Sequence, residues 1–420
     1  MTLPLARHWK NVSWILTVEV FWGVGLALIS MVAVLPVFLS RLGATNTVIG
    51  ALPVVWTLTT GLSGVFAAPF TAGLAHRKRA VIFLHAIGGV PWLFLAAWFG
   101  LMPRPSSSVD IATFLILWGG TWVLYGFTIP IWINFIGKVT RPELRARSFG
   151  TIFFFQTLMG AFGGWIGSRV LGSHLAFPMN YALGFLIAAC AFPLGSLFFL
   201  PVVEEPGATT EPQPALSAIL RHVGEVLSNR SGIRTYLAIL VLSSGRYLLI
   251  TYYPVFAQAR FSLRPQDSAL YTAVCMAGQM LGSVLTGIIG DRFGYTKVAV
   301  ISIAALTVGL ALAIWGANPA AYYVTAFALG IFIVADLLAL FNLSMAFSPH
   351  EDNTAYLGII PALVAPVTAL IAGTSGSLID RFGFIPVAIA GLCAAAAALV
   401  LVVFRLPEPA YSLAGRRTSS

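Results

Sequence analysis

Long apolar runs separated by short polar breaks dominate the chain, and their lengths predict its architecture. A helix needs about 20 apolar residues to cross the hydrocarbon core of a bilayer. Twelve runs of that kind are found, at 12–38, 46–74, 80–102, 111–137, 148–171, 180–202, 233–258, 268–290, 296–316, 320–346, 354–379 and 385–405. The predicted fold class is an all-α membrane protein of twelve transmembrane helices in two pseudo-symmetric six-helix bundles. The longest polar stretch, 203–232, separates residues 1–202 from residues 233–420. Its first part holds Pro206, Pro212 and Pro214 and cannot be a regular helix. Its second part puts Leu216, Ile219, Leu220, Val223, Val226 and Leu227 on one face, with Arg221, His222 and Glu225 elsewhere. That pattern predicts a short amphipathic helix on the cytoplasmic surface.

Composition agrees. Hydrophobic residues make up 58% of the chain and charged residues 9%, where a soluble domain has roughly 25% charged. The N-terminal MTLPLARHWK is basic, but no small-residue cleavage site follows the first run, so that run reads as a retained helix. Cys190, Cys275 and Cys393 all lie in apolar segments and supply neither a disulfide framework nor metal spacing. A net charge of +10 could indicate nucleic acid; in a membrane chain it fits basic cytoplasmic loops instead. With the N-terminus in the cytoplasm, 17 basic residues fall inside and 6 outside, which predicts that both termini are cytoplasmic. The remaining basic residue, Arg246, falls within a run.

One polar break carries a motif. Residues 287–297 read GIIGDRFGYTK, a pattern G-x-x-x-D-R-x-G-x-x-K built from Gly287, Asp291, Arg292, Gly294 and Lys297. The chain echoes it. Gly376 is followed by Asp380, Arg381 and Gly383; Gly164 by Ser168 and Arg169; Ala72 by His76 and Arg77. The arginines at 77, 169, 292 and 381 are separated by 92, 123 and 89 residues, a fourfold repeat with an insertion at its centre.

The motif resembles the loop signature between the second and third helices of a three-helix unit in the major facilitator superfamily. The segment RPELRARSFG at 141–150, with Arg145, is similar to that family's loop between helices four and five. The resemblance covers nearly the whole chain. It implies that the first, fourth, seventh and tenth helices line a central cavity. It also implies that the two halves rock to give alternating access, and that Arg77, Arg145, Gly287, Asp291, Arg292, Gly294, Asp380 and Arg381 belong to gating loops. By this resemblance Asp291 braces one conformation, accepting hydrogen bonds from a neighbouring helix end and a nearby arginine. Three departures stand out. His76 occupies the first-half position of the family's Asp. The fifth helix has Gly160, Gly163, Gly164 and Gly167 but no Gly-Pro step typical of drug–proton antiporters, so its glycines suit close helix packing. VVEEPG follows the sixth helix where sugar transporters carry their signature.

Intramembrane charge marks the candidate site. Of the 14 acidic residues only Glu19 and Asp336 fall well inside runs, accompanied by Arg246. An ionised side chain at the bilayer centre costs at least about 2.5–3.5 kcal/mol, so each calls for a reason. At about 1.5 Å of rise per residue, Arg246 lies roughly 18 Å deep, Asp336 roughly 15 Å and Glu19 roughly 10 Å. Arg246 and Asp336 can therefore meet, either as a static structural pair or as one that opens for substrate or proton. Glu19 has no evident partner and suits a proton carrier, unless the cytoplasmic vestibule wets it.

Trp118, Trp122 and Tyr125 share a face of the fourth helix, and Tyr253 stands seven residues from Arg246 on the same face of the seventh. Such faces suit sugars, flat solutes or cations, or serve only packing. Gln156, Gln279, Asn134 and Asn342 are candidate hydrogen-bonding groups, and His85 reads as a packed polar residue. No phosphate-cradling G-x-x-x-x-G-K-[ST], no G-x-S-x-G and no H-E-x-x-H is present, so no ATP-driven or hydrolytic enzyme is expected, nor any cofactor or metal. The reading is a monomeric, proton-coupled secondary transporter of a small organic solute in a bacterial-type inner membrane, with lipid and substrate as partners and no nucleic acid. Proton-antiport efflux of amphipathic drugs and a non-transporting receptor or scaffold are the alternatives.

Overall fold

The computed structural model describes residues 3–71, 77–102, 106–141, 144–204, 224, 232–347 and 354–408, with the side chains of 63–71, 145–146 and 354–358 outside the description. Among the described residues all regular structure is helical, without a strand. The elements are α1 (Leu5–Leu28), α2 (Ala51–Thr71, led in by a turn at Asn46–Ile49), α3 (Lys78–Leu101), α4 (Ser107–Val139), α5 (Arg145–Leu171) and α6 (Met179–Phe199). There follow α7 (Ile233–Phe261), α8 (Pro265–Phe293), α9 (Tyr295–Trp315), α10 (Pro319–Ala346), α11 (Thr354–Phe382) and α12 (Phe384–Phe404). Eleven of these are long and apolar enough to cross a membrane over described residues, and Asn46–Leu62 is a shorter apolar helix. His76 and, apart from residue 224, the predicted amphipathic helix at 216–227 lie outside the described residues.

The first apolar run departs from expectation. It is broken after Leu28, and a separate short helix covers Val34–Arg41. Pro36 explains the break: it has no N–H to donate and its ring would clash with the carbonyl of Val32 in a continuous helix. The Ser30 hydroxyl accepts the Val32 N–H in the gap, at 3.1 Å.

The chain forms two compact units. One comprises 1–44, 66–213 and 262–276; the other comprises 45–65, 214–261 and 277–420. Each of α2 and α8 is thus shared between the two units. In the first unit α1 and α5 approach backbone to backbone. A Cβ at Gly23 would collide with the Gln156 carbonyl, and one at Gly163 would lie 2.7 Å from the Cα of Val24. Gly164 is packed equally tightly, within 2.8 Å of the Ala273 backbone on α8. Asn11 closes the N-terminal end of this unit. Its amide donates to the carbonyls of Val139 (3.0 Å) and Val203 (3.1 Å) and accepts the Val203 N–H (3.0 Å).

In the second unit α7 is not a continuous α-helix. Ser243–Gly245 is a 3₁₀ turn and Leu248–Tyr252 a π turn, with α-helix on either side. π turns inside helices are rare and gather at functional places. This one begins two residues after Arg246.

Candidate functional site

In the first unit the ionisable centre is Glu19. Its side chain is buried, and Gln156 on α5 donates its amide to the carboxylate at 2.5 Å. The pairing follows from the close α1–α5 approach. The indole nitrogen of Trp132 is the next polar group facing that carboxylate, short of a formed hydrogen bond. Among the described residues no cation lies within ion-pair distance of Glu19.

In the second unit Arg246 and Asp336 meet. Nη1 of Arg246 donates to Asp336 Oδ2 at 3.2 Å and to the Ser243 hydroxyl at 3.4 Å. The guanidinium carbon lies 5.2 Å from the ring centre of its neighbour Tyr247, whose hydroxyl is 2.8 Å from that of Thr57. The two charged side chains keep 15% and 19% of their surface exposed, so the pair is neither fully enclosed nor open. Toward Asp336 it is monodentate, through Nη1 alone, and the Tyr247 hydroxyl is the next polar group facing the guanidinium, short of a formed hydrogen bond. The 3₁₀ turn brings Ser243 under the guanidinium, and the π turn then resets the phase of α7.

Tyr253 is fully buried between Tyr322 and Phe384, with ring centres 5.9 Å away on both sides.

The α4 aromatics form a packed ladder. Trp118 to Trp122 is 5.4 Å between ring centres and Trp122 to Tyr125 is 5.7 Å. Trp118 also packs on Trp92, and Tyr125 on Trp22, and both Trp118 and Tyr125 are buried. His85 is a packed polar residue, its Nδ1 2.8 Å from the Val81 carbonyl and its ring against Trp22 and Phe199. Asn342 donates to Leu338 one turn back, Gln279 is half-buried and Asn134 exposed. An apolar hollow of about 590 Å³, lined by Phe256, Arg260, Ile314, Trp315, Ile385 and neighbours, contains none of the ionisable trio.

The loop residues fall into a pattern of remote helix caps. Glu204, just after α6, caps the start of α3: its carboxylate accepts the N–H groups of Arg77 and Lys78 at 2.9 Å each, and Lys138 donates at 3.0 Å. Burial opposes ionisation of Glu204, but these backbone and ammonium donors outweigh it and hold its carboxyl below the usual carboxylate range. Glu408, just after α12, does the same for α9, accepting the Thr296 N–H at 3.2 Å and occupying the space a Cβ at Gly294 would need. Gly294 itself sits at φ +91°, which favours glycine. Neither glutamate is among the residues singled out from the sequence. The available signal is an acidic residue next to proline after the last helix of each half, EEP at 204–206 and PEP at 407–409.

Among the described residues Asp291 accepts the Tyr295 hydroxyl at 3.3 Å, while Glu408 caps the α9 start. Arg292 is exposed, and around Gly287 there is open space. Asp380 accepts four hydrogen bonds from Asn46 and Thr47, and the Arg381 guanidinium lies over Phe382. The side chain of Arg145 is outside the described residues.

Residues 235–419 match the family model described as Major Facilitator Superfamily. Over nearly the whole chain the fold is that of solved transporters. The crystal structure of the nucleoside transporter NupG is similar with a TM-score of 0.69 at 14% identity, covering 94% of this chain and 97% of that one. A D-xylose–proton symporter has a TM-score of 0.70 at 13% identity, covering 96% and 99%. A POT family transporter in complex with 5-aminolevulinic acid has a TM-score of 0.72 at 11% identity, covering 96% of each. No curated protein matches the sequence significantly.

Proposed function

We propose that this chain, a major facilitator superfamily protein by the match of its second half and by its fold throughout, is a proton-coupled secondary transporter. It moves a small polar organic solute across the membrane by alternating access. The observation that carries the reading is the Arg246–Asp336 pair. A static pair in a low-dielectric interior gains from closing every donor onto an acceptor. Among the described residues this one engages Asp336 through Nη1 alone and leaves Nε and Nη2 of Arg246 with only the Tyr247 hydroxyl facing the group, beside a break in the helix and with 15% of the side chain exposed. Those donors form a planar fork suited to a carboxylate or another acceptor on a solute. A bound acceptor competes with Asp336 for the guanidinium and frees that carboxylate.

Glu19 is proposed as the proton carrier: it is buried and held by one neutral amide, with no cation among the described residues to keep it charged. The similar structures include a nucleoside transporter and a D-xylose–proton symporter, proteins whose solutes are small and polar. Drug efflux gains less support, because the rings of Trp118 and Tyr125 are spent on packing. We read both termini as cytoplasmic from the charge asymmetry of the loops, in a bacterial-type inner membrane. The test is uptake by the purified protein in proteoliposomes under an imposed pH gradient, against labelled nucleosides, pentoses and amino-carboxylates. At least one class should accumulate, and a protonophore should abolish its accumulation. Absence of solute-dependent proton movement across the whole panel contradicts the proposal.

A further inference from the structure

We propose that the hollow where α7 and α9 end and α12 begins binds one anionic phospholipid, with the phosphate on Arg260 and one acyl chain in the hollow. Its floor is Phe256, Ile314 and Ile385, and the exposed Trp315 and Ile389 border it. The floor is braced from behind, where the ring of Phe256 stacks on Phe384 with centres 4.5 Å apart. The space is about 590 Å³, and among the described residues Arg260 is the one charged residue on its wall. Nη1 of Arg260 donates to the carbonyls of Ala313 (3.2 Å) and Ile314 (3.0 Å), in the last turn of α9. The guanidinium carbon lies 5.7 Å from the ring centre of Phe256 and 5.3 Å from that of Phe261. One nitrogen and two rings thus fix the guanidinium. Among the described residues its hydrogen bonds run through Nη1 alone, and the side chain is exposed.

Charge, depth and setting select this occupant. A cap on α9 needs one nitrogen, which leaves Nε and Nη2 as a planar fork that fits two phosphate oxygens. No carboxylate lines the hollow, so a zwitterionic headgroup brings a cation with no acid to receive it, and an anionic headgroup does not. Depth matches a lipid. Arg260 is one residue from the end of α7 and Trp315 is the last residue of α9, the level at which cations and indoles meet headgroups. Phe256 and Ile389 stand five residues further in, roughly 8 Å deeper, toward the hydrocarbon. The flanking surface is apolar too. Val308, two turns before Trp315, and Val400, three turns after Ile389, are exposed on the same helix faces. In a membrane-spanning chain such faces meet acyl chains, so the hollow opens onto lipid. A free phosphate ion would engage the fork but leave the hollow beneath it unfilled.

The test is native mass spectrometry of the full-length protein in neutral detergent, titrated with dipalmitoyl phosphatidylglycerol or with phosphatidylcholine of the same chains. The wild type should hold one phosphatidylglycerol at least about tenfold more tightly than phosphatidylcholine, the scale of one hydrogen bond to a charged group. Arg260→Gln keeps an amide donor for the Ala313 and Ile314 carbonyls but removes the charge and the fork, and it should abolish the preference. Ile389→Trp fills the hollow from a position already 43% exposed, and it should weaken both lipids; it serves alone if Arg260→Gln does not fold. Millimolar inorganic phosphate should not displace the bound lipid. Equal binding of the two lipids by the wild type overturns the site, and so does binding unchanged in the variants. Displacement by inorganic phosphate overturns it as well, leaving an ion on Arg260 alone. A dimer in the same spectra that Ile389→Trp abolishes would give the hollow to a second copy of the chain instead. No solute or proton gradient enters the assay, so the result stands apart from the transport reading.

Discussion

Removing one member of the Arg246–Asp336 pair should hurt more than removing both. Asp336→Ala leaves a guanidinium with 15% of its surface exposed, and an arginine cannot shed its proton. Breaking a buried pair costs about 3–5 kcal/mol, and the partial exposure here puts the expected value near the low end, about 3 kcal/mol. Arg246→Ala leaves Asp336, which can take up a proton, so its cost should be smaller, about 1–3 kcal/mol. The double variant strands no charge, and its cost should approach zero apart from lost packing. The two single losses together then exceed the double by a coupling energy of about 4–6 kcal/mol. Denaturant unfolding of the four proteins in one mixed-micelle system measures this. Additive losses would mean that the two side chains do not interact in solution as they do here. The same four proteins separate structure from function: a double variant that folds and transports at the normal rate removes the pair from the transport cycle.

Glu204→Gln should cost about 1–3 kcal/mol, from loss of the charge in a helix cap and its Lys138 partner. The wild-type contribution is fully present above the unfolded-state carboxylate pKa. It is lost as pH falls through the depressed folded value, so the stability difference between the two proteins should vanish in acid; a difference independent of pH counts against the cap. Gly164→Ala places a methyl 2.8 Å from the Ala273 backbone and should destabilise by about 1–3 kcal/mol. Gly119→Ala, which meets nothing within 4 Å, should change stability by less than about 0.5 kcal/mol in the same unfolding assay.

The helices were legible because membrane spans are set by length and hydropathy alone. Runs such as 296–316 and 320–346 correspond to Tyr295–Trp315 and Pro319–Ala346. Where local chemistry intervened, run length misled: Pro36 breaks the first run although every neighbour is apolar. The charged trio was legible for a related reason, since ionised groups are rare at depth and depth follows from counting. The α7 irregularity was not, because 3₁₀ and π turns reflect tertiary packing: at Gly245, for instance, a Cβ would lie 3.2 Å from the Gly391 carbonyl. Asp380 was visible as a motif echo, but its partners lie more than 330 residues away in sequence, and no local pattern encodes such a pairing. The same holds for Glu204 and Glu408, whose role depends on which helix start the fold brings beside them.

Comparison of net accumulation with exchange in the Glu19→Gln variant tests proton coupling most directly. The measurement uses proteoliposomes, a solute transported by the wild type, and two conditions: an imposed pH gradient, and equal pH with unlabelled solute loaded inside. Coupling through Glu19 predicts that the variant loses pH-driven accumulation while labelled solute still exchanges at a rate close to wild type, since exchange moves no net proton. Full pH-driven accumulation in Glu19→Gln would contradict the account and pass the carrier role to another group, with Asp336 the next to test.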